Sequence, residues 1–150
     1  MPMPVPMPMP MLDRDGVGTH REVHGSGRAV LLGHGFTLTC RIWDRQNAAL
    51  QGSHRVIVRD MLGHGQSGAP GDQDLCRKGL TVADMAGLLR HLAVEKAVIG
   101  GLSRGGDISP AFRMHHPEML HAPIALDTIS GRLPRPFPPL SSVRKYPRGR

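Results

Sequence analysis

The chain has 150 residues, a length that suits one domain, and carries 19 Lys and Arg against 12 Asp and Glu. The surplus is local: Arg132, Arg135, Arg144, Lys145, Arg148 and Arg150 fall in the last 20 residues with no acidic neighbour, which leaves 13 basic against 12 acidic residues in the first 130. Cys40 and Cys76 stand far apart, with no C-x-x-C and no Cys/His pairing at metal-ligand spacing, so neither a disulfide framework nor a zinc site is indicated. No apolar run approaches the roughly 18 residues of a membrane span, and the N-terminus lacks a basic n-region with an uninterrupted apolar run. A reduced, cytoplasmic setting with no metal, no cofactor and no membrane is expected.

Residues 1–11 alternate Met or Val with Pro, which fixes φ and removes a donor at every second position and predicts a disordered tail. Asp15-Gly16 signals a hairpin turn, and Thr19 to His24 then reads as a strand ending at Gly25-Ser26-Gly27. Ala29 to Leu32 is a short buried strand stopped by Gly33. Arg41 to Gln51 reads as a helix with Ile42, Trp43, Ala48, Ala49 and Leu50 as packing residues. Val56 to Val58 is a second buried strand, and residues 63–71 form a glycine-dense loop. Thr81 to Asp84 fits a capping box, followed by Val82, Met85, Leu89 and Leu92 at helical spacing. Ala97 to Ile99 is a third buried strand, Ile108 to His115 a helix kinked by Pro110, and Ile124 to Leu126 a fourth buried strand. The Pro- and Arg-rich stretch 132–150 reads as a second disordered tail. Strands alternating with helices over 12–131 imply an α/β unit, a mostly parallel sheet with helices on both faces.

The chemistry concentrates in Val98 to Gly106, where a buried strand runs into G-x-S-x-G and then a helix, the context of a nucleophile elbow. The turn is sharp, so Ser103 is expected at strained φ and ψ, and side chains at 101 and 105 would collide with neighbouring elements. An oxyanion formed there would meet backbone N–H groups and a helix N-terminus. Two further strand ends fit: Leu31 to Phe36 carries an H-G-x turn, and Arg59 to Ser67 follows the next strand.

With these three motifs in order, the sequence resembles the α/β-hydrolase fold family, in particular its esterase, lactonase and haloperoxidase-like members, over roughly residues 15–131. The resemblance places the nucleophile on Ser103, the oxyanion donors on the backbone N–H groups of Phe36 and Arg104, and the elbow glycines at Gly101 and Gly105. It makes His34 structural, gives Asp60, Gly63, His64, Gly65 and Ser67 a loop-holding role, and likens Trp43 to an aromatic near the pocket floor, a place that core packing explains equally.

The family's triad runs Ser, then Asp or Glu, then His. The resemblance ends just after the sixth family strand, where Asp127 is a candidate acid beside a purely structural reading of the same Asp-Thr strand end. No histidine follows His121, and His115 and His116 lie well over 10 Å from Ser103 along a helix rising about 1.5 Å per residue. The sequence therefore predicts an incomplete fold: by resemblance a serine hydrolase of small esters, lactones or related acyl compounds, with an inactive fragment or a non-catalytic interaction module as the alternative. The basic tail could bind polyanions without sequence preference, but no nucleic-acid reading motif accompanies it. Ile124 to Leu126 would be left as a sheet edge open to self-association.

Overall fold

The computed structural model describes residues 12–14, 16–71 and 78–128. The tails expected at 1–11 and 132–150 lie outside the described residues. Gly16, at φ +83°, turns the chain between strands β1 (Leu12–Arg14) and β2 (Val17–Thr19), which pair antiparallel. The strand expected over Thr19 to His24 is broken at His20, and only Arg21–His24 continues as β3. The break has a cause: the His20 carbonyl accepts the Asp60 N–H, and the His20 N–H donates to Ser67 Oγ. Its backbone is spent on a loop.

Then follow β4 (Arg28–Gly33), a 3-10 turn (Cys40–Trp43), helix α1 (Asp44–Leu50), β5 (His54–Arg59), α2 (Lys78–His91), β6 (Ala97–Leu102), α3 (Arg104–His115), a second 3-10 turn (Pro117–Met119) and β7 (Leu120–Leu126). The main sheet has the order β3-β5-β4-β6-β7. Only β3 runs antiparallel to its neighbour, and the register sets Leu31 against both Ile57 and Ile99, and Gly33 against Gly101.

Alternation along the strands divides the core in two. Leu31, Ile57 and Ile99 face α2 and α3, where Met85, Leu89, Ile108 and Phe112 cover them. Val30, Leu32, Val56 and Val58 face Cys40 and Trp43. Each such side chain contributes about 1.5–3 kcal/mol by leaving water. Helices thus cover both faces, and Trp43 is a core residue of the α1 side.

Four expectations are corrected by packing. The first helix begins as a 3-10 turn, with Thr39 Oγ1 accepting the Arg41 N–H at 3.3 Å. Trp43 and Asn47, four residues apart, face inward there, while Ala48 and Ala49 fall on the exposed side. Thr81 is buried one turn inside α2 and is no cap, although Val82, Met85, Leu89 and Leu92 are buried as their spacing predicts. α3 starts four residues early, at Arg104, because the elbow itself launches it: the Asp107 N–H already donates to the Ser103 carbonyl. The helix continues through Pro110 to His115. Finally, β7 is seven residues long and mostly exposed rather than buried, since among the described residues its strand partner is β6 and the helix packed on it is α3.

Candidate active site

The parallel strands deliver their carboxyl ends to one rim, and β6 ends there at Leu102. Ser103 follows at φ 53° and ψ −113° and leads straight into α3. A non-glycine residue at positive φ is strained, by about 1–3 kcal/mol, and persists only where its surroundings over-determine it. Here they do. The Ser103 N–H donates to the Leu126 carbonyl of β7 at 2.8 Å, and the Ser103 carbonyl accepts from Asp107 at 2.9 Å. A methyl group on Gly101 would lie 2.6 Å from the Gly105 carbonyl oxygen and 2.7 Å from that of Gly33. One on Gly105 would lie 2.9 Å from the His34 carbonyl oxygen. The backbones of β4, β6 and α3 therefore touch where side chains would be, and Ser103 is left exposed on top.

The loop after β4 comes against the elbow. A methyl group on Gly35 would stand 3.6 Å from Ser103 Cβ, so the His34-Gly35-Phe36 turn flanks the hydroxyl's side of the rim. His34 is fully buried; its Nδ1–H donates to the Gly35 carbonyl at 2.8 Å and its Nε2 accepts the Met61 N–H at 2.9 Å. Both nitrogens are spoken for in the neutral form, and burial pushes the imidazole's pKa down. That leaves it as a pin between two strand-end loops, as its motif implies.

Asp60 organises the third loop. Its carboxylate, almost completely buried, accepts the Cys40 N–H at 2.7 Å and the Gln66 N–H at 2.8 Å. Burial would raise its pKa, but these backbone donors outweigh it and hold the carboxyl below the usual range. Ser67 Oγ donates to the Asp60 carbonyl at 2.7 Å. His64 accepts the Thr37 N–H on Nε2 and reaches the Leu62 carbonyl through Nδ1, with its ring 5.1 Å from that of His34 and edge-on to Phe36 at 5.6 Å. It is occupied by backbone at both nitrogens.

Asp127 directly follows β7 at the same rim, exposed and at φ 44°, one residue past the carbonyl that holds Ser103. No histidine joins them, although all nine lie among the described residues. His20 sits three strand spacings from β6, about 14 Å; His24, His54 and His121 lie at or near the opposite rim; His91, His115 and His116 close helices α2 and α3. Sequence reading passed over one grouping that the fold makes: His20, Glu22 and Cys40 converge beyond β5. No spacing rule connects residues 20 and 40, so no linear signal was available.

Strand order, strained serine and glycine contacts together have the geometry of a strand-turn-helix elbow. The sequence pattern of the alpha/beta hydrolase fold matches residues 28–148. The chain belongs to the α/β-hydrolase fold family. It is 41% identical over 88 residues to an epoxide hydrolase of Caballeronia sordidicola, covering 58% of this chain and 27% of that protein. Among solved structures, it is similar to a thermophilic esterase from Thermogutta terrifontis (33% identity, TM-score 0.66, 77% of this chain and 43% of that one). It is also similar to the enol-lactonase from Burkholderia xenovorans LB400 (27%, TM-score 0.68, 74% and 44%). The chain spans about a third or less of the length of curated relatives such as the epoxide hydrolase (27%) and the Burkholderia fluoroacetate dehalogenase (36%). No helix among the described residues is long and apolar enough to cross a membrane.

Proposed function

We propose that this α/β-hydrolase chain carries the nucleophile half of a serine hydrolase acting on a small ester, lactone or related acyl compound. The observation that carries the reading is the residue at the elbow: a hydroxyl, Ser103, held at strained φ beside the α3 N-terminus. Attack of a hydroxyl on an acyl carbon gives an ester, which water can cleave to regenerate the enzyme. Attack on an epoxide carbon would give an ether with no carbonyl for water to enter, and turnover would stop. Serine at this place therefore favours the acyl chemistry named for the esterase and lactonase neighbours over that named for the epoxide hydrolase relative. The roles follow: Ser103 attacks, the N–H groups of Phe36 and Arg104 receive the oxyanion, Gly101 and Gly105 allow the approach, and Asp127 is the acid candidate.

A second reading rests on the histidines. With His34 and His64, the histidines of the neighbouring loops, both bound to backbone through their ring nitrogens, the hydroxyl stays a weak nucleophile near neutral pH, and the chain alone behaves as an inactive fragment. Both readings meet in one experiment. The chain and its Ser103→Ala variant are incubated with p-nitrophenyl acetate, with and without imidazole as an external base, and the acetyl group is located by peptide mass spectrometry. The expected result is no Ser103-dependent burst without imidazole and acetylation at Ser103 with it. A burst without imidazole would reinstate an internal base; no acetyl on Ser103 under either condition would overturn the nucleophile assignment.

A further inference from the structure

On the far side of the sheet from the elbow, three donors of different chemistry meet. His20, Glu22 and His24 alternate along one face of β3 and its entry, and Cys40 opens the 3-10 turn after β4. One donor atom from each of His20, Glu22 and Cys40 lies within 4.8 Å of the other two. His20 Nε2 is 3.3 Å from Glu22 Oε1, and His24 Nε2 is 3.0 Å from Glu22 Oε2. Cys40 is buried, and its N–H is anchored on Asp60. The Arg41 guanidinium reaches two of the three donors, bonded to Glu22 and 3.5 Å from Cys40 Sγ.

We propose that His20 Nε2, the Glu22 carboxylate and Cys40 Sγ form a zinc site. One nitrogen, one oxygen and one sulfur is a donor set for Zn²⁺ or a similar transition ion, and not for Mg²⁺ or Ca²⁺, which take oxygen. Tetrahedral bonds of about 2.0–2.3 Å require the donors to close by roughly 1 Å from their present spread. The place already gathers around a cation. Arg41 is the stand-in, and it is free to leave: its side chain is half exposed and has a second partner in Asp44 at 3.2 Å. On binding, the Zn–S bond forms as the Cys40 thiol proton passes to solvent. His24 orients the carboxylate from outside, and water completes the coordination. The ion would tie edge strand β3 to the segment that follows the Phe36 loop.

The test uses Co²⁺ as a spectroscopic probe on the full chain, with Zn²⁺ competing. A thiolate-to-cobalt charge-transfer band is expected, displaced by Zn²⁺, retained in Cys76→Ser and lost in Cys40→Ser. His20→Gln and Glu22→Gln should each weaken Co²⁺ by roughly tenfold or more, and Arg41→Met should bind at least as tightly as the parent. Absence of the band in the parent, or its persistence in Cys40→Ser, would overturn the site. If Cys40→Ser proves unfolded by far-UV circular dichroism, His20→Gln decides, because it keeps the thiol: unchanged affinity there also overturns the proposal.

Discussion

β6 and β7 are neighbours in one parallel sheet, yet they live under different rules. β6 has a strand on each side and helices on both faces, and Ile99 is wholly buried. Among the described residues β7 has one strand and one helix beside it, and Ile124 and Leu126 remain 39% and 45% exposed. The register even pairs a residue that tolerates no side chain, Gly101, with one whose side chain meets solvent, Ala125. The lesson is that an apolar triplet records a preference for burial, while the number of its neighbours decides whether burial occurs.

The sharpest way to break this contrast is to mutate that register pair. Gly101→Ala should destabilise by about 3 kcal/mol, because the intruding methyl meets backbone of Gly33 and Gly105 that cannot rotate away. Ala125→Ser should stay within about 0.5 kcal/mol. Equal effects in urea denaturation would show that the elbow is looser than its geometry. Of similar size is Ile99→Ala, expected to cost about 2–4 kcal/mol against about 1 for the half-exposed Ile124→Ala.

The opposite edge supplies a change of opposite sign. Arg21 on β3 is buried, no hydrogen-bond partner reaches its guanidinium among the described residues, and burial lowers its pKa. A buried unpaired polar group costs about 1–3 kcal/mol, so Arg21→Met should raise the melting temperature. A fall would mean that the guanidinium is satisfied in solution.

Self-association tests β7 directly. The Leu126 carbonyl points to β6, so by alternation the backbone groups of His121, Pro123 and Ala125 face outward, and Pro123 removes the middle donor. We expect association at moderate salt that Ala125→Lys reduces, measured by size-exclusion chromatography with light scattering. A monomeric parent with sharp unfolding would show the edge to be protected.

The smallest effect concerns pH. His34 is held neutral by burial, with His64 and Arg59 opposing its charge and Asp60 favouring it. Its folded pKa lies below the ordinary 6.5, so the unfolded chain binds the proton first and stability falls as pH drops below about 6.5. Thermal melts from pH 7.5 to 5.5 should show this slope, and His34→Gln should flatten it.

The elbow was legible because its causes are local. Glycines at 101 and 105 around a serine, between a buried strand and a helix, leave few backbone solutions, and the strained φ of Ser103 is one of them. Residues 60–67 were legible for the same reason, since Asp60 binds Gln66 and Ser67 within its own turn. The helix starts were less so: α3 begins in the elbow and Thr81 lies within α2, because packing set those boundaries and capping chemistry did not.

The sequence by itself determined the alternation of strands and helices, the strand-end motifs and the serine between the elbow glycines, all of which act through sterics and hydrogen bonds over a few residues. Only the tertiary structure decided that Ile124 and Leu126 keep their side chains exposed, that His34 is consumed by Met61 across 27 residues, and that His20 and Glu22 meet Cys40. Those outcomes depend on which strands become neighbours, and strand order follows from burying the whole sheet at once rather than from any short run of residues.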